Sequence, residues 1–133
     1  ALTYLHSLTE DVRYLESSKR AASFLTDDAW NPGLAIFPFE CADSLAYFFD
    51  SGIIVRGLLS LWRITGERRL LETAAACGRS MASSFAAPNG EFHPILRLPE
   101  KLSLPRTDHW SRTTGCYHLK SALASTDLHR ETG

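Results

Sequence analysis

The stretch GLLSLWRITGERRLLE, from Gly57 to Glu72, contains the end of one helix, a tight turn and the start of another. Gly66 follows Thr65 at the helix end, where glycine adopts left-handed backbone angles without a steric penalty. Glu67 then stands at the start of the next helix, where its negative charge interacts favourably with the helix dipole. The stretch therefore predicts two antiparallel helices joined by a short turn.

The same pattern recurs twice elsewhere in the chain. Ala1–Glu16 matches Gly57–Glu72 at an offset of 56 residues (57 minus 1), with identities at Leu2, Leu5, Thr9, Arg13, Leu15 and Glu16. At an offset of 67 residues (133 minus 66), the residues Leu61, Arg63, Thr65 and Gly66 match Leu128, Arg130, Thr132 and Gly133. Repetition over such periods, in helical sequence, predicts stacked helical hairpins.

The two helices of one hairpin differ in polarity. In Ile53–Ile64 the polar residues are Arg56, Ser60 and Arg63, whose spacing forms one narrow stripe on an otherwise apolar helix. Such a helix is typical of an inner position between other helices. Glu67–Phe85 has one apolar face and one charged face, as expected of an outer helix.

The connections between hairpins are long and irregular. They comprise Asp27–Ser44 and Ala86–Arg112, and the second contains four of the six prolines. Prolines at this spacing exclude a helix there, while Asn31-Pro32-Gly33 and Asn89-Gly90 indicate turns and Phe92–Leu98 a short extended segment. The long connections are therefore expected at one end of the helical layer and the short turns at the other.

Composition excludes several classes of protein. The 133 residues carry a net charge of −1, which gives no basic surface for nucleic acid or an anionic membrane. No apolar run is long enough to span a bilayer. Three widely spaced cysteines argue against a disulfide framework and favour a reducing compartment, hence a cytoplasmic location. Cys77, within TAAACGRS, is expected to be a buried thiol.

Alternating inner and outer helices, as in DSGIIVRGLLSLWRITGERRLLETA, together with long connections on one side, resemble the six-hairpin (α/α) toroid group. That group includes unsaturated glucuronyl hydrolases, other glycoside hydrolases, N-acylglucosamine 2-epimerases and polysaccharide lyases. The resemblance implies an all-α fold in which residues 1–133 form a single partial (α/α)6 toroid domain of about two and a half antiparallel helical hairpins. It also implies a saccharide cleft where the long connections meet the N-termini of the inner helices.

Asp50, in YFFDSG, is the first candidate for a catalytic carboxylate at this end. It precedes the apolar run of an inner helix, so it is also expected to cap that helix. Glycosidases need two carboxyl groups across the scissile bond, and Asp43 and Asp108 are the candidate partners.

Aromatic rings and cations on the same side are candidate sugar ligands. Aromatic faces stack on sugar rings, and arginine or histidine binds hydroxyl or uronate groups. The candidates for substrate binding are Trp30, His93, His109, Trp110, Arg112 and His118. His93 and His118 are alternatively the pair of proton-transferring residues of a 2-epimerase. The spacing of Cys116, His118 and His109 matches no zinc motif, so neither a metal nor a cofactor is predicted.

These features leave three functions open. The first is a glycoside hydrolase acting on a uronate-containing or related saccharide, with Asp50 and one of Asp43 or Asp108 as the acid and base. The second is a sugar 2-epimerase that uses His93 and His118. The third is a non-catalytic helical scaffold. In each case, the exposed apolar sides of the terminal hairpins are expected to meet further hairpins of the same chain or a second copy.

Overall fold

The computed structural model describes residues 1–41, 44–109, 112–113, 115 and 118–133. The helices are α1 (Leu2–Thr9), α2 (Val12–Phe24), α3 (Phe48–Thr65), α4 (Arg68–Ser84) and α5 (His118–Thr132). A π-helical turn at Leu25–Ala29 continues α2. The short strands are β1 (Leu45–Tyr47), β2 (Ile95–Arg97) and β3 (Leu102–Ser103). No helix in these ranges is both long and apolar enough to cross a membrane.

The two hairpins α1–α2 and α3–α4 have the register that the repeat predicts. Helix α1 ends at Thr9 and α3 at Thr65, while α2 begins at Val12 and α4 at Arg68, so both boundaries differ by 56 residues. The predicted antiparallel helical hairpins are confirmed.

Each of the three inner helices α1, α3 and α5 ends on a residue with left-handed backbone angles. These residues are Glu10 (φ 57°), Gly66 (φ 69°) and Gly133 (φ 77°). Their backbone N–H groups donate to the carbonyls of His6, Trp62 and His129, four residues earlier in each case. The left-handed helix end predicted at Gly66 is therefore confirmed, and it recurs in the same position in every repeat.

The core lies between inner helix α3 and outer helix α4. Helix α3 contributes the buried side chains Val55, Leu58, Leu59 and Leu61, and α4 contributes Leu70, Ala74, Cys77 and Met81. Cys77 is fully buried, so the expected buried thiol is confirmed, and this burial raises the pKa of the thiol to about 12.

The polar stripe of α3 faces the next inner helix, α5. Arg56 Nε lies 3.0 Å from Asp127 Oδ2, and Arg63 Nε lies 2.8 Å from Glu131 Oε1. Arg63 also approaches Asp127 Oδ1 at 3.7 Å. These pairs join two helices separated by about 70 residues in the sequence (71 between Arg56 and Asp127). The stripe therefore fixes the rotation of α5 against α3.

A small antiparallel sheet in the order β1–β2–β3 brings the two long connections together. Leu45 pairs with Arg97 and Tyr47 with Ile95, while Leu96 pairs with Ser103. The extended segment predicted around Ile95 is thus confirmed. Because β1 leads directly into α3, the sheet lies at the N-terminal end of that inner helix.

One sequence prediction about a helix start is wrong. Helix α3 begins at Phe48, so Asp50 is its third residue and not its cap; Tyr47 precedes the helix and makes no side-chain cap. The helix starts early because Tyr47 ends a paired strand and the Phe48 N–H donates to the Pro94 carbonyl at 3.0 Å. Helix α5 begins at His118.

Candidate functional site

The candidate site lies where the first turns of the inner helices α3 and α5 meet the sheet. The two helices approach closely at Gly52, where an added Cβ atom would lie 2.8 Å from the Ser121 Cα. Ser121 is fully buried, and its hydroxyl donates to the Phe49 carbonyl at 3.4 Å. Asp50 precedes Gly52 by two residues and His118 precedes Ser121 by three, so the close contact brings both side chains to one end of the helix pair.

Asp50 is half-buried in the first turn of α3. Within the described residues, its carboxylate forms neither a hydrogen bond nor an ion pair. Burial raises the pKa of this carboxyl above its usual range, because the charged form loses solvation. A carboxyl in this state binds a proton more tightly than one in water.

His118 is the first residue of α5, and its backbone N–H donates to the Gly115 carbonyl at 3.0 Å. The imidazole is partly buried and meets the Phe48 ring edge-on, with 5.5 Å between the ring centroids. Burial lowers the pKa of the imidazole below its usual value of 6.5. Near neutral pH the ring is therefore the neutral form, which can accept a proton.

Phe48 connects His118 to the second long connection. Its ring stacks on Phe92 at 4.6 Å with an interplanar angle of 15°, and it also contacts Phe85 at 5.5 Å. His93 follows Phe92 and is half-buried, with its backbone N–H donating to the Phe85 carbonyl at 2.7 Å. The structure thus joins His118 and Phe92, the neighbour of His93, through the Phe48 ring, and Asp50 lies in the same first turn of α3 as Phe48.

His109 and Arg112 line a separate polar cavity of about 290 Å³ together with Tyr47 and Thr107. The Arg112 backbone N–H donates to the His109 carbonyl at 2.8 Å, which holds the two residues in one turn. Both side chains are exposed. This cavity borders the start of α3 through Tyr47.

The remaining candidates lie apart from this cluster or outside the described residues. Trp30 is half-buried, and its ring packs on Phe37 at 4.7 Å beside the core. Asp108 is exposed in the second long connection. Asp43 and Trp110 lie outside the described residues. Within the described part of the chain, no three metal-ligating side chains cluster together.

Solved structures of sugar epimerases have the same arrangement of helices. The chain superposes on a cellobiose 2-epimerase from Bacillus thermoamylovorans B4167 with a TM-score of 0.83 and 14% identity, covering 97% of this chain and 36% of that one. A cellobiose 2-epimerase from Spirochaeta thermophila DSM 6192 gives 0.82 and 17%, covering 98% and 36%. A sugar epimerase from a ruminal bacterium gives 0.82 and 14%, covering 99% and 36%.

The chain has the fold of part of a six-hairpin (α/α) toroid. The fold class implied by the sequence is therefore confirmed, with a small sheet added. No protein-family model and no curated protein matches the sequence. The chain spans about a third of the length of these toroid enzymes, 36% in each case.

Two residues that line the candidate site, Phe48 and Thr107, were not predicted from the sequence. Phe48 was unassigned, although the aromatic run YFF immediately before Asp50 signals a cluster at the start of an inner helix. Thr107 was also unassigned, because a threonine in a proline-rich connection carries no distinguishing signal. Phe48 stacks on Phe92, and Thr107 lines a cavity together with Tyr47. The residues of each pair lie far apart in the sequence, so neither contact could be predicted from it.

Proposed function

We propose that the protein is a sugar 2-epimerase in which His118 transfers a proton at C2 of the sugar. The observation that supports it most is the partly buried imidazole of His118 at the first turn of an inner helix, in a fold found in sugar epimerases. Those neighbours favour the epimerase alternative over the glycoside hydrolase.

Epimerisation at C2 requires a base and a returning acid. The C2–H bond of the open-chain aldose breaks next to the C1 carbonyl, and its electron pair moves into the carbonyl to give an enolate. The proton passes to a base, and a proton returns to the opposite face of C2. A base with a pKa near or below neutral pH is available in the deprotonated form, which suits His118.

We assign the remaining roles in the reaction to His93, Asp50 and the three phenylalanine rings. His93, held beside Phe92, is the candidate for returning the proton to the opposite face. Asp50, in the first turn of α3, is the candidate that accepts a hydrogen bond from a sugar hydroxyl and so orients the substrate. The aromatic cluster of Phe48, Phe85 and Phe92 limits the access of water to these groups.

A glycoside hydrolase is the second candidate, favoured by one observation. A carboxyl with a raised pKa is suited to act as a general acid, and Asp50 meets this condition. The reaction needs a second carboxylate, for which the candidates are Asp43 and Asp108. Asp108 is exposed in its connection, and Asp43 lies outside the described residues.

Substitution of His118 tests the proposal. In the protein that contains this chain, His118→Asn is expected to lower the rate of interconversion of cellobiose and its C2 epimer by about 10²–10⁴-fold. The matched control is His129→Asn, because His129 is an exposed residue near the opposite end of the same helix. Epimerisation that survives His118→Asn would contradict the proposal, and glycosidic cleavage abolished by Asp50→Asn would favour the hydrolase. If the native protein, His118→Asn and Asp50→Asn all bind sugar without turnover, the result would favour the non-catalytic helical scaffold.

A further inference from the structure

Residues 86–92 form a tight hairpin between α4 and β2. Ala86 and Phe92 pair across it, and the Ala87 N–H donates to the Glu91 carbonyl at 2.8 Å. At the turn, Gly90 has a left-handed backbone (φ 83°), and its N–H donates to the Ala87 carbonyl at 3.0 Å. The backbone of this hairpin is therefore fixed by its own hydrogen bonds.

The side chain of Glu91 is held from two directions. Within the hairpin, its Oε2 accepts a hydrogen bond from the Asn89 amide at 3.0 Å, and Asn89 Oδ1 accepts one from the Glu91 N–H at 3.1 Å. From outside the hairpin, Arg106 Nη2 donates to the same Oε2. The pKa of Glu91 lies below its usual range, mainly because of the hydrogen bond from Arg106 and then because of that from Asn89. Glu91 is therefore an oriented anion that binds Arg106.

This ion pair joins two segments whose backbones are each fixed. An exposed ion pair usually contributes little, because two flexible side chains must become ordered. The Glu91 and Arg106 side chains are 45% and 44% exposed. However, Asn89 already orients Glu91, and Arg106 follows Leu104, whose N–H donates to the Ile95 carbonyl at 3.3 Å. Less order is therefore lost when this pair forms than when a pair forms between two free side chains.

The hairpin connects the ion pair to the candidate reaction residues. Phe92 follows Glu91, and its ring stacks on Phe48 at 4.6 Å. Phe48 in turn meets the His118 ring edge-on at 5.5 Å. His93 is the next residue after Phe92. A displacement of Glu91 would therefore move both the ring that covers Phe48 and the backbone of His93.

We propose that Arg106 is a positioning residue for the candidate site. Through its ion pair with Glu91, it holds the hairpin so that Phe92 and His93 remain in position. The inference rests on the proposed function for the roles of His93 and His118. The ion pair itself belongs to the fold and can be tested without a sugar.

Kinetic comparison of neutral variants tests the role in the reaction. In the protein that contains this chain, Arg106→Gln and Glu91→Gln are each expected to lower kcat for cellobiose by about 5-fold with KM unchanged, because the hairpin is in position for less of the time. The double variant should lose no more than either single variant, since the two residues act through one contact. Arg106→Lys, which keeps the charge, should retain most of the activity. Additive losses, or a loss expressed in KM, would overturn the inference.

The matched control is Arg68→Gln. Arg68 also forms an exposed ion pair with a glutamate, Glu72 at 2.8 Å, but it lies at the start of α4, whereas the hairpin follows the end of that helix. Arg68→Gln should leave kcat unchanged. Both glutamine variants should have the same midpoint of urea unfolding, so that a selective loss of kcat in Arg106→Gln reports positioning and not stability. Equal loss of kcat in the two variants would overturn the inference.

Hydrogen exchange measures the order of the hairpin without any sugar. Arg106→Gln should speed exchange of the amides in residues 87–93 by about 5-fold, because the hairpin opens more often, whereas Arg68→Gln should not. If the native protein epimerises no sugar, the proposed function fails, and this measurement alone decides whether Arg106 holds the hairpin. Unchanged exchange in Arg106→Gln would overturn the inference.

Discussion

At the scale of single residues, burial changes how Asp50 responds to pH. Its pKa is raised above the usual 3.8, so the folded protein binds this proton more tightly than the unfolded chain. The stability contributed by the group is present below pH 3.8 and is lost as the pH rises through the raised value. At neutral pH the charged carboxylate therefore costs stability.

Asp50→Asn is accordingly expected to raise the melting temperature at neutral pH, because it removes a poorly solvated charge. The gain should shrink as the pH falls toward 3.8. Thermal unfolding followed by circular dichroism across this range measures the effect, with Asp108→Asn, an exposed aspartate, as the control. A lower melting temperature for Asp50→Asn at neutral pH would mean that a favourable interaction outweighs the desolvation.

The pKa of His118 sets a matching expectation for activity. Because burial lowers this pKa below 6.5, the imidazole stays neutral at pH values where a free histidine is already protonated. If His118 is the base, kcat/KM should therefore fall on the acid side only below pH 6.5. A pH profile of epimerisation measures this limb. A fall centred above pH 6.5 would contradict a buried neutral base.

At the scale of helices, the close contact of α3 with α5 depends on Gly52. A methyl group there would lie within 3 Å of the Ser121 backbone and side chain, so Gly52→Ala forces the helices apart. We expect a loss of about 1–3 kcal/mol in the free energy of unfolding. Gly57, in the same helix, has no atom within 4 Å of an added Cβ, so Gly57→Ala should stabilise by about 0.5–1 kcal/mol.

Urea denaturation of the two variants measures this difference. Equal effects at Gly52 and Gly57 would show that α3 and α5 do not touch at the predicted place. Gly52 lies two residues after Asp50, and Ser121 lies three residues after His118. The displacement of the helices in Gly52→Ala should therefore also reduce the rate of epimerisation, whereas Gly57→Ala should leave that rate unchanged.

The helices could be predicted from the sequence because their signals are local and repeated. The 56-residue offset predicts where α1 and α3 end and where α2 and α4 begin, and Thr65-Gly66 predicts the turn. The start of α3 could not be predicted, because it depends on a hydrogen bond from Phe48 to the distant Pro94. The polar stripe of Arg56 and Arg63 was visible, but its acidic partners on α5 follow only from packing.

The contacts among the candidate site residues could not be predicted from the sequence. Side chains in long connections have no periodicity to fix their direction. The sequence therefore predicted Trp30 and His109 equally as sugar-binding residues. In the structure Trp30 packs on Phe37, whereas His118 meets Phe48. These contacts follow from an isolated bridge between Asn31 and Ile36 and from the three-residue strands β1 and β2, which are too short to recognise in the sequence.

At the scale of the whole molecule, two helix surfaces expose apolar side chains. On α1, Tyr4 and Leu8 are 64% and 63% exposed and lie about one helical turn apart, and Val12, the first residue of α2, is 59% exposed. On α5, Leu119 and Leu123 are 69% and 49% exposed. Helix α3 packs against both α1 and α5, so these surfaces lie on the flanks of the inner layer. Exposed apolar side chains of this size favour association.

We expect these surfaces to be covered by further hairpins of a longer chain or by a second copy. Expressed alone, the 133-residue chain should self-associate at micromolar concentrations. The variant with Leu8→Glu and Leu123→Glu should remain monomeric with the same helical content, because neither side chain is buried. Sedimentation velocity distinguishes the two results. A monomeric native chain that does not bind a hydrophobic dye would contradict this expectation.

The central claim is proton transfer at C2 by His118, and solvent deuterium exchange tests it directly. Incubation of cellobiose with the protein in D₂O, followed by proton NMR, is predicted to show deuterium at C2 of the substrate and of its epimer. The exchange should be lost in His118→Asn and kept in His129→Asn. Turnover of the sugar that leaves the C2 proton in place, or glycosidic cleavage without exchange, would contradict the account.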